Sequence, residues 1–217
     1  MTEKLGLRVA LIDDHPAILR AVMAEITAAF HVAEVCRARR VNEILDTPGP
    51  YEIVVLDVQL GDDSDPADNV RRITDQGWPV LLYTQEANAR LVARCFRAGA
   101  KGIVGKSQDL EDLLEAVSLI AGGQPYLSGE WASVLSSDAA VIPTLAPREA
   151  EALKMYASGL PMKSVARRMG ISPETVKDYL MRVRRRYDDV GRPAATKTEL
   201  YVRAMEDGLV DPPVCIS

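Results

Sequence analysis

"VALIDDHPAI", Val9 to Ile18, is an apolar run that stops at two adjacent carboxylates, Asp13 and Asp14, and then passes through His15 and Pro16 into a second apolar pattern. Short β-branched and aliphatic runs read as buried strands, and Pro at the first helical position reads as a helix start. Neighbouring carboxylates repel unless a cation or a proton lies between them. A strand that delivers two of them to its carboxyl end therefore points to a binding site there.

The same strand-then-helix pattern repeats along the first half. Arg8–Ile12, Val32–Cys36, Ile53–Leu56, Val80–Tyr83 and Gly102–Val104 read as strands. Ala17–Ala29, Asn42–Asp46, Ala67–Asp75, Ala89–Ala98 and Leu110–Ala121 carry helical spacing. Five such repeats predict an α/β fold, a doubly wound five-stranded parallel sheet with helices on both faces. Ligands of such sheets bind outside the carboxyl ends of the strands, near a topological switch point. Asp13, Asp14, Asp57, Thr84 and Lys106 all fall at those ends.

At 217 residues and 47% hydrophobic content the chain suits two domains with real cores. No apolar stretch approaches the ~18 residues of a membrane-spanning helix, so a cytoplasmic protein with no membrane partner is expected. Cys36, Cys95 and Cys215 are widely separated and outside any CxxC spacing, which argues against a disulfide framework and a zinc site. The net charge of −5 hides an asymmetry. Residues 1–143 hold 13 Lys and Arg against 21 Asp and Glu, a net −8, while residues 144–217 hold 13 against 10, a net +3. Nucleic acid is a candidate partner for the second half alone.

Gly122, Gly123 and Pro125 end the last helix of the first half, and Gln124–Pro143 reads as a connector with one short helix around Trp131. Beyond it, Pro147–Ala157 is an amphipathic helix and Met162–Met169 a second one, ended by Gly170. Ser172-Pro173-Glu174 then supplies an N-cap, a proline in the first turn and an acid at the positive end of the dipole, opening a third helix through about Arg186. Ala195–Asp207 makes a fourth. Two short helices separated by "MGIS" have the spacing of a helix-turn-helix.

Three clustered carboxylates with oxygen-only ligation suit Mg2+. Any one of these acids alone reads more simply as a helix cap or a loop residue; it is their coincidence with Thr84 and Lys106 that favours a site. Lys106 can pair with Asp57 or with a phosphoryl oxygen, and Thr84 can donate to an anion held at Asp57. His15 is expected to pack or cap rather than to ligate. The acidic loop "GDDSDPADN", Gly61–Asn69, reads as a solvated loop.

"LIDDH", "VVLDVQL", "LLYT" and "GAKGIVGKS", in this order at successive strand ends, resemble the flavodoxin-like receiver domain of two-component response regulators over about residues 6–122. The resemblance implies that Asp57 is the phosphoacceptor, that Asp14 binds Mg2+ directly with Asp13 assisting through water, and that the Gln59 backbone carbonyl completes the metal site. Thr84 and Lys106 would contact the phosphoryl group, and a sensor histidine kinase would supply it. One position departs from the pattern: Ile103 stands where receivers usually carry an aromatic residue whose rotation accompanies the threonine.

"LAPREAEALKMYASGLPMKSVARRMGISPETVKDYLMRVRRRY", Leu145–Tyr187, resembles the LuxR-type helix-turn-helix that follows receivers in the NarL/FixJ class. This implies an all-α four-helix domain whose third helix enters the major groove of double-stranded DNA. Thr175, Lys177, Asp178 and Arg182 would then share base and phosphate contacts, with Lys163 and Arg167 on the preceding helix touching phosphates. Tyr179 replaces a common His. The expected organisation is a receiver at 1–122, a linker at 123–143 and a DNA-binding domain at 144–217. The expected function is a phosphorylation-controlled, dimeric transcription factor and not an enzyme. Two other readings stay open: a phosphorylation-independent receiver serving as a dimerisation or ligand module, and a Mg2+-dependent phosphatase, for which Gln59 stands where a general acid is usually needed.

Overall fold

β1, Leu7–Ile12, and β3, Ile53–Leu56, lie side by side and parallel, with Ile12 opposite Leu56. This pairing brings the residues that follow the two strands, Asp13 and Asp57, to one end of the sheet. The computed structural model describes residues 6–85, 88–136 and 141–210. Cys215, both chain ends and residues 137–140 of the expected connector lie outside the described residues.

The remaining strands are β2, Val32–Ala38; β4, Val80–Thr84; β5, Gly102–Gly105; and β6, Tyr126–Leu127. All neighbours pair in parallel, in the order β2-β1-β3-β4-β5-β6. The order reverses at β1, so the switch point lies between β1 and β3, where a doubly wound sheet binds its ligands. The helices between the strands are α1, Pro16–Ala29; α2, Val41–Leu45; α3, Pro66–Thr74; α4, Ala89–Arg97; and α5, Leu110–Ala121. Strand side chains alternate between the faces. Val9, Leu11, Val55, Leu81 and Val104 join Leu19, Val22 and Ile26 of α1 and Leu113, Ala116, Val117 and Ile120 of α5 in one core. The alternate residues Ala10, Ile12, Val54, Leu56, Leu82 and Ile103 are buried as well. Both faces are covered, which is why these strands read as continuous apolar runs.

The five-stranded expectation needs correction: among the described residues the sheet has six strands. Tyr126–Leu127 pairs with Gly102 and Ile103, and α6, Gly129–Ser136, follows. A two-residue strand has no periodicity to detect. Its partner does carry a trace, because a Cβ on Gly102 would come within 2.7 Å of the Tyr126 carbonyl oxygen. Only glycine admits this approach.

The chain divides into two units, residues 1–87 with 92–136 and residues 88–91 with 137–217. The second contains α7, Pro147–Ala157; α8, Met162–Met169; α9, Pro173–Asp189; and α10, Lys197–Glu206. Leu153, Ala157, Val183, Tyr187, Leu200 and Ala204 form one core cluster, and Ala152, Val165, Ala166, Met169, Val176 and Leu180 another. Gly170 takes the left-handed conformation that ends α8, φ +67°. Ser172 Oγ then accepts from the Thr175 N–H at 3.1 Å and starts α9. Removing this cap by Ser172→Ala should lower stability by about 1 kcal/mol, read from urea unfolding. α10 begins at Lys197 rather than Ala195, because Thr196 caps the helix and Glu199 reaches back to the Thr196 N–H at 2.7 Å.

Candidate functional site

At the carboxyl end of the sheet three side chains of opposite charge interlock. Lys106 Nζ lies 2.7 Å from Asp13 Oδ2 and 2.6 Å from Asp57 Oδ2, and all three side chains are about 5% exposed. Backbone pairing sets each of them: the Asp57 N–H donates to Ile12 O at 2.8 Å, the Asp13 N–H to Ala38 O, and the Lys106 N–H to Thr84 O. Thr84 ends β4 and is 2% exposed. Burial works against the charge on Lys106, but the hydrogen bonds it donates to Asp13 and Asp57 outweigh it and hold the ammonium above its ordinary range. The Tyr83 ring centroid stands 6.0 Å from Nζ.

Asp14 lies beside this triad. Its Oδ2 accepts from the Gly61 N–H at 3.1 Å, while Oδ1 is buried without a hydrogen-bond partner. Asp57 Oδ1 accepts from the Gln59 N–H at 3.2 Å, so the segment after β3 wraps the acids with its backbone. One donor atom each from Asp13, Asp14, His15 and Asp57 fall within 4.8 Å of one another. A buried carboxylate oxygen lacking a hydrogen bond, among the carboxylates of Asp13, Asp14 and Asp57, fits a hard divalent cation. His15, expected to pack or cap rather than to ligate, stands at the N-cap position of α1 without a side-chain capping bond, and its Nδ1 is 2.8 Å from Asp14 Oδ1, outside hydrogen-bond geometry, and 3.2 Å from Asp13 Oδ1. The His15 backbone N–H also donates to Asp13 Oδ1 at 2.7 Å.

The acidic loop has local employment. Asp62 Oδ1 accepts from the Ser64 N–H and hydroxyl, and Asp65 caps α3 and pairs with Arg94 at 2.7 Å. Asp68 pairs with Arg71 one turn on. An open cleft of about 460 Å3 borders the loop, lined by Gly61, Asp62, Ser64, Asn69, Arg40 and Arg72. Ile103 is fully buried in β5, opposite Leu82 and Leu127.

In the second unit α9 turns one face inward, through Val176, Leu180, Val183 and Tyr187, and one outward. Lys177, Asp178 and Arg182 are exposed on it, and Lys163 and Arg167 are exposed on α8. Thr175 is half-buried, its hydroxyl 3.0 Å from that of Ser172, so it serves the cap. Arg182 is tethered: Nε lies 3.5 Å from Glu149 Oε1, and the guanidinium stands over the Tyr179 ring at 5.0 Å. Glu149, 4% exposed, also pairs with Arg186 at 3.0 Å and accepts from the Ala146 N–H. Sequence reasoning passed over Glu149; its signal was an acid in the first turn of a helix. Glu149→Gln should cost about 1–2 kcal/mol in a urea unfolding curve, since the buried carboxylate charge that faces Arg182 and Arg186 is lost while the Ala146 N–H keeps an acceptor.

A parallel sheet that gathers an acid pair, a third carboxylate and a lysine at its switch point, with a helical unit in the same chain, defines a receiver-containing regulator. Residues 9–118, just over half of the chain, match the response regulator receiver domain family, and the chain belongs to it. Residues 139–186 match region 4 of sigma-70. The chain is 28% identical over 193 residues to the nitrate/nitrite response regulator protein NarL of Escherichia coli K12, covering 83% of this chain and 88% of NarL. It is 26% identical over 182 residues to the Fimbriae Z protein of Salmonella typhimurium, covering 79% and 85%. Among solved structures, RcsB from Salmonella enterica serovar Typhimurium, bound to promoter rprA with the phosphomimetic BeF3−, superposes with TM-score 0.57 at 17% identity over 92% of this chain and 98% of RcsB. A LuxR-family two-component response regulator from Aurantimonas sp. SI85-9A1 gives TM-score 0.54 at 28% identity over 59% and 94%. Among the described residues no helix is long and apolar enough to cross a membrane.

Proposed function

We propose that this chain is a transcription factor whose receiver accepts a phosphoryl group on Asp57 and whose helical domain binds double-stranded DNA as a homodimer. The observation that carries the reading is the buried triad of Lys106, Asp13 and Asp57 beside the orphaned oxygen of Asp14. The domains are a receiver over about residues 1–122, a linker over 123–143 and a DNA-binding domain over 144–217. A sensor histidine kinase is the donor, and the cytoplasm is the setting.

The chemistry follows from the contacts. Asp57 Oδ2 is held by Lys106 at 2.6 Å, whereas Oδ1 has the longer bond to the Gln59 N–H, so Oδ1 is the freer nucleophile. Its lone pair forms the new O–P bond while the bond from phosphorus to the donor breaks and the leaving group keeps that electron pair. Asp14, Asp57 and the Gln59 carbonyl would hold Mg2+, with Asp13 acting through water, and the ion would supply charge compensation for the phosphoryl oxygens. Lys106, already charged and desolvated, shifts its contacts toward the added oxygens, and Thr84, tied to it by the backbone, donates its hydroxyl. The loss of the Lys106–Asp57 pair is the structural signal.

RcsB structures are described as dimers and as bound to promoter DNA, and those properties are carried to this chain as part of the proposal. Lys163 and Arg167 contact phosphates, and Thr175, Lys177, Asp178 and Arg182 lie along the groove. Each phosphate contact removed lowers the salt dependence of binding, so Lys163→Ala and Arg167→Ala should each reduce the slope of log affinity against log salt by about 1. A slope unchanged in both variants would remove α8 from the interface.

Ile103 favours a second reading, in which the receiver dimerises without phosphorylation, because an aliphatic side chain sealed into β5 has no ring to rotate. Mass and DNA affinity measured with and without a stable phosphoryl mimic plus Mg2+ separate the two. Equal values under both conditions would remove the phosphorylation switch. A phosphatase reading would need steady turnover of phosphomonoesters, and Gln59 offers no acid for it.

A further inference from the structure

Among the large apolar side chains of the described residues, Met181 is the most exposed, at 59%. It sits at the middle of the outward face of α9, where helical spacing sets Glu174, Lys177, Asp178, Arg182 and Arg185 around it, all exposed. The other face of the helix already closes the core through Val176, Leu180, Val183 and Tyr187, so Met181 has no packing task within its unit. A lone surface methionine is ordinary. This one is the single apolar group in a stripe of charges on the helix assigned to the major groove, and three of its neighbours are cations that suit a polyanion.

The chemistry of the groove decides what such a group can meet. Base pairs present nitrogen and oxygen donors and acceptors there, and one apolar group, the C5 methyl of thymine. A thioether placed against any of the polar edges would desolvate them without pairing. Against the methyl it gains buried apolar area, and its three flexible torsions let it follow the groove floor. Asp178, one turn back, is an acceptor-only group that phosphates repel, which turns this part of the helix toward base edges rather than backbone.

From these observations we infer that Met181 is a specificity-determining residue that reads a thymine methyl in the major groove, selecting an A·T pair at that step of each half-site. The inference rests on the proposed DNA-binding function and names what that surface recognises.

Uracil differs from thymine in the groove by the methyl group alone, which makes the test selective. The full-length chain is used to enrich a duplex from a randomised library, and each thymine of the enriched site is then replaced in turn by uracil. One replacement per half-site should weaken wild-type binding by about fourfold, the transfer value of one buried methyl-sized group. Met181→Ala should bind the thymine and uracil duplexes equally, and Met181→Leu should keep the preference for thymine. Thymine positions that are all insensitive to the exchange, or a sensitivity that survives in Met181→Ala, overturn this assignment while leaving DNA binding intact. Failure to enrich any duplex overturns the DNA-binding reading and this assignment with it.

Discussion

Asp57→Asn should abolish incorporation of a phosphoryl group from a small acyl phosphate in the presence of Mg2+, read as loss of the mass added by one phosphoryl group to the intact chain. The amide oxygen is a far weaker nucleophile than the carboxylate, so the new O–P bond does not form. The substitution is nearly isosteric, and the surrounding contacts persist: Lys106 keeps Asp13 at 2.7 Å, and the side-chain oxygen can still accept from the Gln59 N–H. The chain therefore stays folded. The same variant should also lose any response of DNA affinity to the phosphodonor. Labelling of Asp57→Asn at the wild-type level would move the acceptor to another residue.

Lys106→Met should have the largest effect on stability. It leaves Asp13 and Asp57, each about 5% exposed, facing one another without the cation that bridges them. Removing one partner from a buried charge group costs about 3–5 kcal/mol, because the remaining charges stay desolvated and unpaired. The deficit should show in urea unfolding of metal-free protein. On the proposed function Mg2+ is held among these carboxylates and should recover much of it, so the stabilisation produced by Mg2+ should be larger in the variant than in the wild type. Equal stability of variant and wild type without metal would mean that the acids find another counterion.

The triad was legible in the sequence because each member ends a strand whose apolar run is unmistakable. Once the strands are parallel, Asp13, Asp57, Thr84 and Lys106 must converge. What lay beyond reading depends on paths that periodicity does not encode. The bond from the Gly61 N–H to Asp14 comes from the route of a loop 47 residues away in sequence. The tether from Glu149 to Arg182 and Arg186 joins two helices through their packing, and Arg184 donates to the Ala195 carbonyl oxygen at 3.1 Å, so three members of the basic run are engaged by contacts that periodicity does not encode. His15 was set aside on ligand chemistry, yet its backbone N–H bonds Asp13 and its ring lies against Asp13 and Asp14. Thr196 and Glu199, a cap and its partner three residues on, were readable and would have started α10 at its true position.

The sixth strand also bears on how the molecule avoids sticking to itself. β6 covers Gly102 and Ile103, the start of what would otherwise be a bare sheet margin at β5. The opposite margin, β2, is seven residues long and offers the described sheet's other open row of backbone groups. It carries Glu34 and Arg37, and Glu34 is drawn into a salt bridge with Arg8 of β1 at 2.7 Å. Charged side chains along a strand edge oppose extension of the sheet by a second chain. A β2 margin guarded in this way disfavours splicing the sheets of two copies into a ribbon that would not come apart.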